Sequence, residues 1–152
     1  MMNSTAERAE IAFISKEHEK FYYEKLGQVR YQDVYNKALC YCLGMNADAR
    51  NHVDRIYDFA TGLVKPECIF EGWQTSGSLK VVRMAFNLYC NGTPTMDLYK
   101  TMDEQIYEQS HYNVEDLFCC QYAPFFWQAI KIRYPEYVSY NDQLHKMLGS
   151  RD

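Results

Sequence analysis

No stretch of this chain approaches the ~20 consecutive apolar residues that a membrane-spanning helix needs, so a membrane protein is not expected. A basic excess is missing too: 16 Lys and Arg stand against 20 Asp and Glu, leaving a formal net charge of −4. A general grip on nucleic-acid phosphates rests on such an excess, so that role is disfavoured unless a local patch supplies it. The opening residues, MMNSTAERAE, lack the basic start and apolar run of a secretory signal. A cytoplasmic protein is therefore expected, and the six cysteines come without the export signal that accompanies a disulfide framework. No internal repeat, low-complexity tract or linker divides the sequence.

Catalytic and metal-binding signatures are absent as well. Zinc sites use pairs such as C-x₂-C or H-x₃-H, whereas Cys40 and Cys42 would point about 200° apart around a helix axis. Cys119 and Cys120 are adjacent, Cys68 and Cys90 stand alone, and His18, His52, His111 and His145 have no partners at ligand spacing. Small buried cysteines and surface histidines are the expectation, with no metal and no cofactor. Ser76-Gly77-Ser78 is not a nucleophile elbow, since the flanking glycines of G-x-S-x-G are missing. Gly72 and Gly77 do not make a phosphate loop, and no spacing selects Glu67, Glu71 or Asp103 as an acid or base. No catalytic residue is assigned, and a non-enzyme is the expectation.

What the chain does hold is a central unit from Glu71 to Gly92, EGWQTSGSLKVVRMAFNLYCNG. Thr75, Ser76, Gly77 and Ser78 offer capping oxygens and backbone N–H groups where a helix should begin. Leu79, Val82, Ala85, Phe86 and Tyr89 recur at spacings of three and four and line one face, with Lys80, Arg83 and Asn87 on another. Asn91-Gly92 supplies the residue types of a left-handed C-terminal cap. This helix is expected to be the spine of the fold. Its start exposes unpaired N–H groups beside Lys80 and Arg83, so Trp73, Gln74, Thr75, Ser76, Ser78, Lys80 and Arg83 form the candidate binding surface. A cap flanked by two solvated cations would explain the same composition.

Around this unit the pattern predicts a mainly α, single compact domain of several helices over 15–138. Residues 1–14 form a flexible N-terminal segment and 139–152 a tail carrying a short helix over Leu144, Met147 and Leu148. Ser15 caps a first helix that runs to Leu26, with Phe21, Tyr22 and Leu26 inward. A second runs from Asp33 to Leu43 with Val34, Tyr35, Ala38, Leu39 and Cys42 on its apolar face. The pair Tyr31 and Tyr35 falls at its start, on the core boundary. A third begins at Asn46 or Asp48 and turns Val53, Ile56 and Tyr57 inward. Periodicity then breaks, and a short extended segment or hairpin is predicted near 59–70. Residues 96–112 are polar with Met96, Leu98, Met102 and Ile106 loosely periodic, giving one or two short helices. Asn113 and Asp116 resemble a capping box, and Pro124 suits the first turn of a last helix buried through Phe126, Trp127, Ile130 and Tyr134. With 14 Tyr and 16% aromatic residues, the chain has many rings with a polar tip, suited to a core boundary or a contact surface.

Residues 16–44, together with IYDFATG, GWQTSGSLKVVRMAFNLY and DLFCCQYAPFFWQAIKIRYPEY, resemble an uncharacterised family of short proteins, a domain of unknown function. The resemblance covers roughly 15–138 and carries no transferable activity. It implies a source in gut-associated Firmicutes with their conjugative elements and phages. In that setting small acidic proteins act as accessory or anti-defence factors, of the anti-CRISPR type, by binding a host protein. The leading expectation is thus a non-enzymatic protein that binds a protein partner. The alternatives are an anion- or nucleic-acid-binding module at Thr75–Arg83, and a hydrolase or nuclease with an unrecognised site.

Overall fold

The computed structural model describes residues 11–137, 144 and 147–149. The fold is mainly helical. Its elements are α1 (Lys16–Leu26), α2 (Val34–Leu43), α3 (Ala47–Asn51), α4 (Val53–Ile56), β1 (Tyr57–Asp58) and β2 (Leu63–Val64). There follow a 3₁₀ turn (Pro66–Phe70), α5 (Ser76–Cys90), a second 3₁₀ turn (Met96–Leu98), α6 (Met102–Ser110), α7 (Val114–Phe118) and α8 (Ala123–Arg133).

Capping chemistry sets most of the helix starts. The side chains of Ser15, Asp33, Asn46, Thr101 and Asn113 each accept a hydrogen bond from the backbone N–H three residues on. At α5, Thr75 and Ser78 bond each other's backbone N–H groups in a reciprocal capping box. The same helix ends on Asn91 in the left-handed region, φ 57°, as the Asn-Gly pair predicts.

The centre of the fold is α2 as much as α5. Helix α2 packs against α1, α5 and α8. Its residues Ala38 to Leu43 are at most 1% exposed, so all sides of its C-terminal half are covered. A helix apolar all round is a core helix, and the unbroken apolar run LCYCL at 39–43, rather than a stripe, is its sign. Helix α5 contributes Val81, Val82, Met84, Ala85, Phe86 and Leu88 to the same core.

Several expectations change. The third helix is two, broken at His52 (φ −120°, ψ 24°), so that Val53 and Ile56 restart on the inner side. The hairpin lies at 57–64, with Tyr57 opposite Val64 and Asp58 opposite Leu63, and Gly62 takes the positive φ of 75° that its turn requires. Residues 66–70 are a 3₁₀ turn rather than extended chain, since Pro66 suits a first helical position. Trp127 is 57% exposed; Phe126, Ala129 and Arg133 form the buried stripe of α8 instead. Tyr35, expected on the apolar face, lies at the surface, with the Arg133 guanidinium stacked on its ring 3.8 Å from the centroid.

The packed chain also begins before Ser15. Phe13 rests among His18, Tyr22 and Tyr41, and the Tyr41 hydroxyl donates to the Ala12 carbonyl at 2.5 Å. Expectations for residues 1–10 lie outside the described residues. In the C-terminal tail, residues 144 and 147–149 are helical, and Leu144, Met147 and Leu148 are exposed.

Candidate functional site

The predicted surface at the start of α5 is brought together, but its charges face inward. Thr75 and Ser76 are exposed. Ser78 is fully buried, with its hydroxyl donating to Gln74 Oε1 at 2.5 Å. Trp73 is half-buried, stacked flat on His52 with ring centroids 4.4 Å apart, and its indole N–H donates to Glu71 at 2.8 Å. Glu71 is also paired with Arg55, and these two donors hold its carboxyl below the usual range.

Lys80 and Arg83 are not solvated cations. The Lys80 ammonium donates to the Asp116 carbonyl and sits 3.4 Å from its carboxylate. Arg83 makes a two-point contact with Glu108, Nε to Oε1 at 3.1 Å and Nη2 to Oε2 at 2.9 Å. Glu108 is only 1% exposed and also accepts from the hydroxyls of Thr95 (2.8 Å) and Tyr99 (3.2 Å). A buried charge with one bidentate partner and two further donors is fully satisfied, so this network fastens rather than waits for a ligand.

That fastening creates an unusual helix. Helix α6 turns Gln105 and Glu108 toward the body, where Gln105 also donates to the Tyr99 carbonyl. At about 100° per residue, Asp103, Ile106, Tyr107 and Ser110 then fall on the opposite side, with Met102 at its edge. Met102, Ile106 and Tyr107 are 69%, 57% and 67% exposed. The helix is thus inverted: its polar side is buried and its apolar side meets solvent. Val114 (69%), Leu98 and Phe70 are exposed beside it in sequence or space, Phe70 edging on the Tyr99 ring at 5.5 Å. Asp97, Asp103, Glu104 and Glu115 are exposed in the same segment and make no ion pair among the described residues.

Sequence pattern missed this face. Met102 and Ile106 at i and i+4 are only loosely periodic and assign no facing, which the long-range pairing of Glu108 with Arg83 sets. The available signal was a carboxylate at 108 opposite those residues, with a lone arginine inside the α5 pattern.

The expectations for cysteine and histidine burial divide. Among the described residues no group of three or more His, Cys, Asp or Glu could hold a metal ion. Cys40, Cys42 and Cys68 are buried, and burial raises each thiol pKa, to about 12 at Cys40 and Cys68. Cys90 and Cys119 are exposed, contrary to expectation. His18 is not a surface residue: it is fully buried and lies against Gly44, where a Cβ would sit 2.7 Å from its ring. No helix of the described residues is long and apolar enough to cross a membrane.

Residues 8–146 match a family of unknown function, DUF6075, and the chain belongs to that family. No curated protein and no solved structure matches it.

Proposed function

We propose that this member of the family works by binding another protein through the outward face of α6. The observation that carries this reading is the inversion of the helix. Three large apolar side chains are held in solvent by a buried ion pair on the other side, an arrangement that loses free energy unless a partner covers it. The exposed carboxylates of Asp97, Asp103, Glu104 and Glu115, none in an ion pair among the described residues, favour a partner with a basic rim around an apolar groove. The Trp73–Ser78 turn, including exposed Thr75 and Ser76, is a second contact region. It adjoins α6 and α7 because Arg83 and Lys80 of the same helix pair with Glu108 and Asp116. The accessory or anti-defence role of a mobile element or phage, exerted on a host protein in the cytoplasm, belongs to the same reading and rests on the resemblance alone.

Capture from a native host lysate followed by binding measurements tests it. Ile106→Glu with Tyr107→Ser should leave the helical circular dichroism unchanged and weaken the partner about thirtyfold or more, as loss of a contact hot spot does. Affinity should also fall as salt is raised. Ala at Trp73, Thr75 and Ser76 probes the turn separately. Equal capture by wild type and both sets of variants, all folded, would discard the reading. Loss of self-association by the α6 variant would make the partner a second copy of this chain.

A further inference from the structure

Charge is distributed unevenly along the chain. Over residues 11–94, ten Lys and Arg stand against nine Asp and Glu. From Thr95 to Phe118, six carboxylates stand against one cation, Lys100. Arg83 holds Glu108 and Lys80 holds Asp116, which leaves Asp97, Asp103, Glu104 and Glu115 exposed in the same segment as Met102, Ile106 and Tyr107. The acidity of the molecule is thus concentrated where α6 shows its apolar side.

That combination selects among occupants. Nucleic-acid phosphates and an anionic lipid surface both meet like charge here. A second copy of this chain would bring its own exposed carboxylates against these, which opposes self-association. The backbone of α6 is hydrogen-bonded within the helix, so it offers no edge to a strand and the contact is made by side chains. Helix α6 also sits at the periphery, its backbone packed most closely on the second 3₁₀ turn. Met102 and Ile106 at i and i+4 form one ridge of its outer side, with Tyr107 beside them. A ridge of that kind seats in the grooves of another helix. Leu98, four positions before Met102, and Phe70, against the Tyr99 ring, extend the exposed apolar area beyond α6 itself.

We propose that the partner covers α6 with an amphipathic helix of its own, an apolar stripe bordered by Lys and Arg. The stripe lies along Met102, Ile106 and Tyr107, and its cations meet Asp97, Asp103, Glu104 and Glu115. This rests on the docking reading of α6 and names the chemistry which that face selects. Calorimetric titration of the full chain with designed helical peptides tests it. The first, about 18 residues long, carries Leu at spacings of three and four with Lys elsewhere; a second scrambles that order, and a third replaces Lys by Glu. The first should bind saturably one to one and weaken about tenfold between about 50 and about 500 mM salt. The other two should bind at least about tenfold more weakly. Ile106→Asn with Tyr107→Ser removes the apolar ridge without adding charge and should weaken the first peptide about thirtyfold. Asp97→Asn with Asp103→Asn should weaken it about threefold and flatten the salt dependence. All four side chains are exposed, so these variants keep the fold. No saturable binding of the Leu/Lys peptide at millimolar concentration overturns the proposal. So does equal binding of the scrambled peptide, binding unchanged by Ile106→Asn with Tyr107→Ser, or dimerisation of the chain through α6. If lysate capture still depends on Ile106 and Tyr107 after such a result, the basic helix is wrong and the docking face stands. Capture indifferent to both residues sinks the docking face itself.

Discussion

His18 shows how a single side chain ties acidity to stability. Its Nε2–H donates to the Tyr41 carbonyl at 2.7 Å, while Nδ1 accepts the Ile14 N–H at 3.1 Å. Those partners fix the neutral tautomer, and a second ring proton would face a backbone donor. Burial lowers its pKa from 6.5 to about 4, the Tyr41 carbonyl opposes the shift, and Arg50 adds to it. The unfolded chain therefore binds more protons than the folded one, and the stability present above pH 6.5 is lost as pH falls toward 4. Between pH 7 and pH 5 the loss should be about 2 kcal/mol. Urea unfolding of wild type and His18→Gln at both pH values checks this: the variant should be weaker throughout but show a much smaller pH difference. Two arginine- and lysine-based contacts make a second comparison. Arg83→Ala leaves the buried Glu108 carboxylate without its main partner and should cost about 3–5 kcal/mol. Lys80→Ala removes a partly exposed pair and should cost under about 1 kcal/mol. Denaturant midpoints give both values, and a similar small loss for each would refute the distinction. None of this was readable from the residues alone. His18 stands in a polar run, KEHEK, and only the fold places Tyr41 and Gly44 around it.

Elements with local signals were the legible ones. Ser15, Asp33, Thr75 and Asn113 mark helix starts because a hydroxyl, carboxylate or amide oxygen reaches an N–H three residues away, within the same short stretch of chain. The Asn91 cap is equally local, although Arg133 also donates to its side chain at 2.9 Å from another helix. Orientation was less legible than existence. Helices α6 and α8 lie close to where the pattern put them, yet their exposed faces are set by partners distant in sequence. Glu108 turns α6 through Arg83, and Arg133 turns α8 by donating to the Leu88 carbonyl at 3.0 Å. An Arg at 133 inside a buried stripe runs against the period-based rule, which assigns the interior to apolar residues. The candidate site was legible in part: the turn at 73–78 exists as drawn, but its two cations hold neighbouring helices.

Across the whole molecule, one core joins α1, α2, α5 and α8, and its thiols provide a direct measure of it. Cys40, Cys42 and Cys68 are buried within that core, while Cys90 and Cys119 are exposed. A native-state titration with a thiol reagent should label Cys90 and Cys119 within the first phase. The three buried thiols should react only at the rate of global opening. Rapid labelling of Cys40 or Cys42 would mean that α2 is not the centre of the packing. The net charge of −4 acts at the same scale, favouring encounter with basic partners over acidic ones. The inverted helix has a last consequence for how such a protein can diversify. On the proposed reading, anchor and adhesive occupy opposite sides of one short cylinder, so substitutions at 102, 106 and 107 can accumulate with little toll on folding. A lineage could thus exchange its targets while its scaffold stays unaltered.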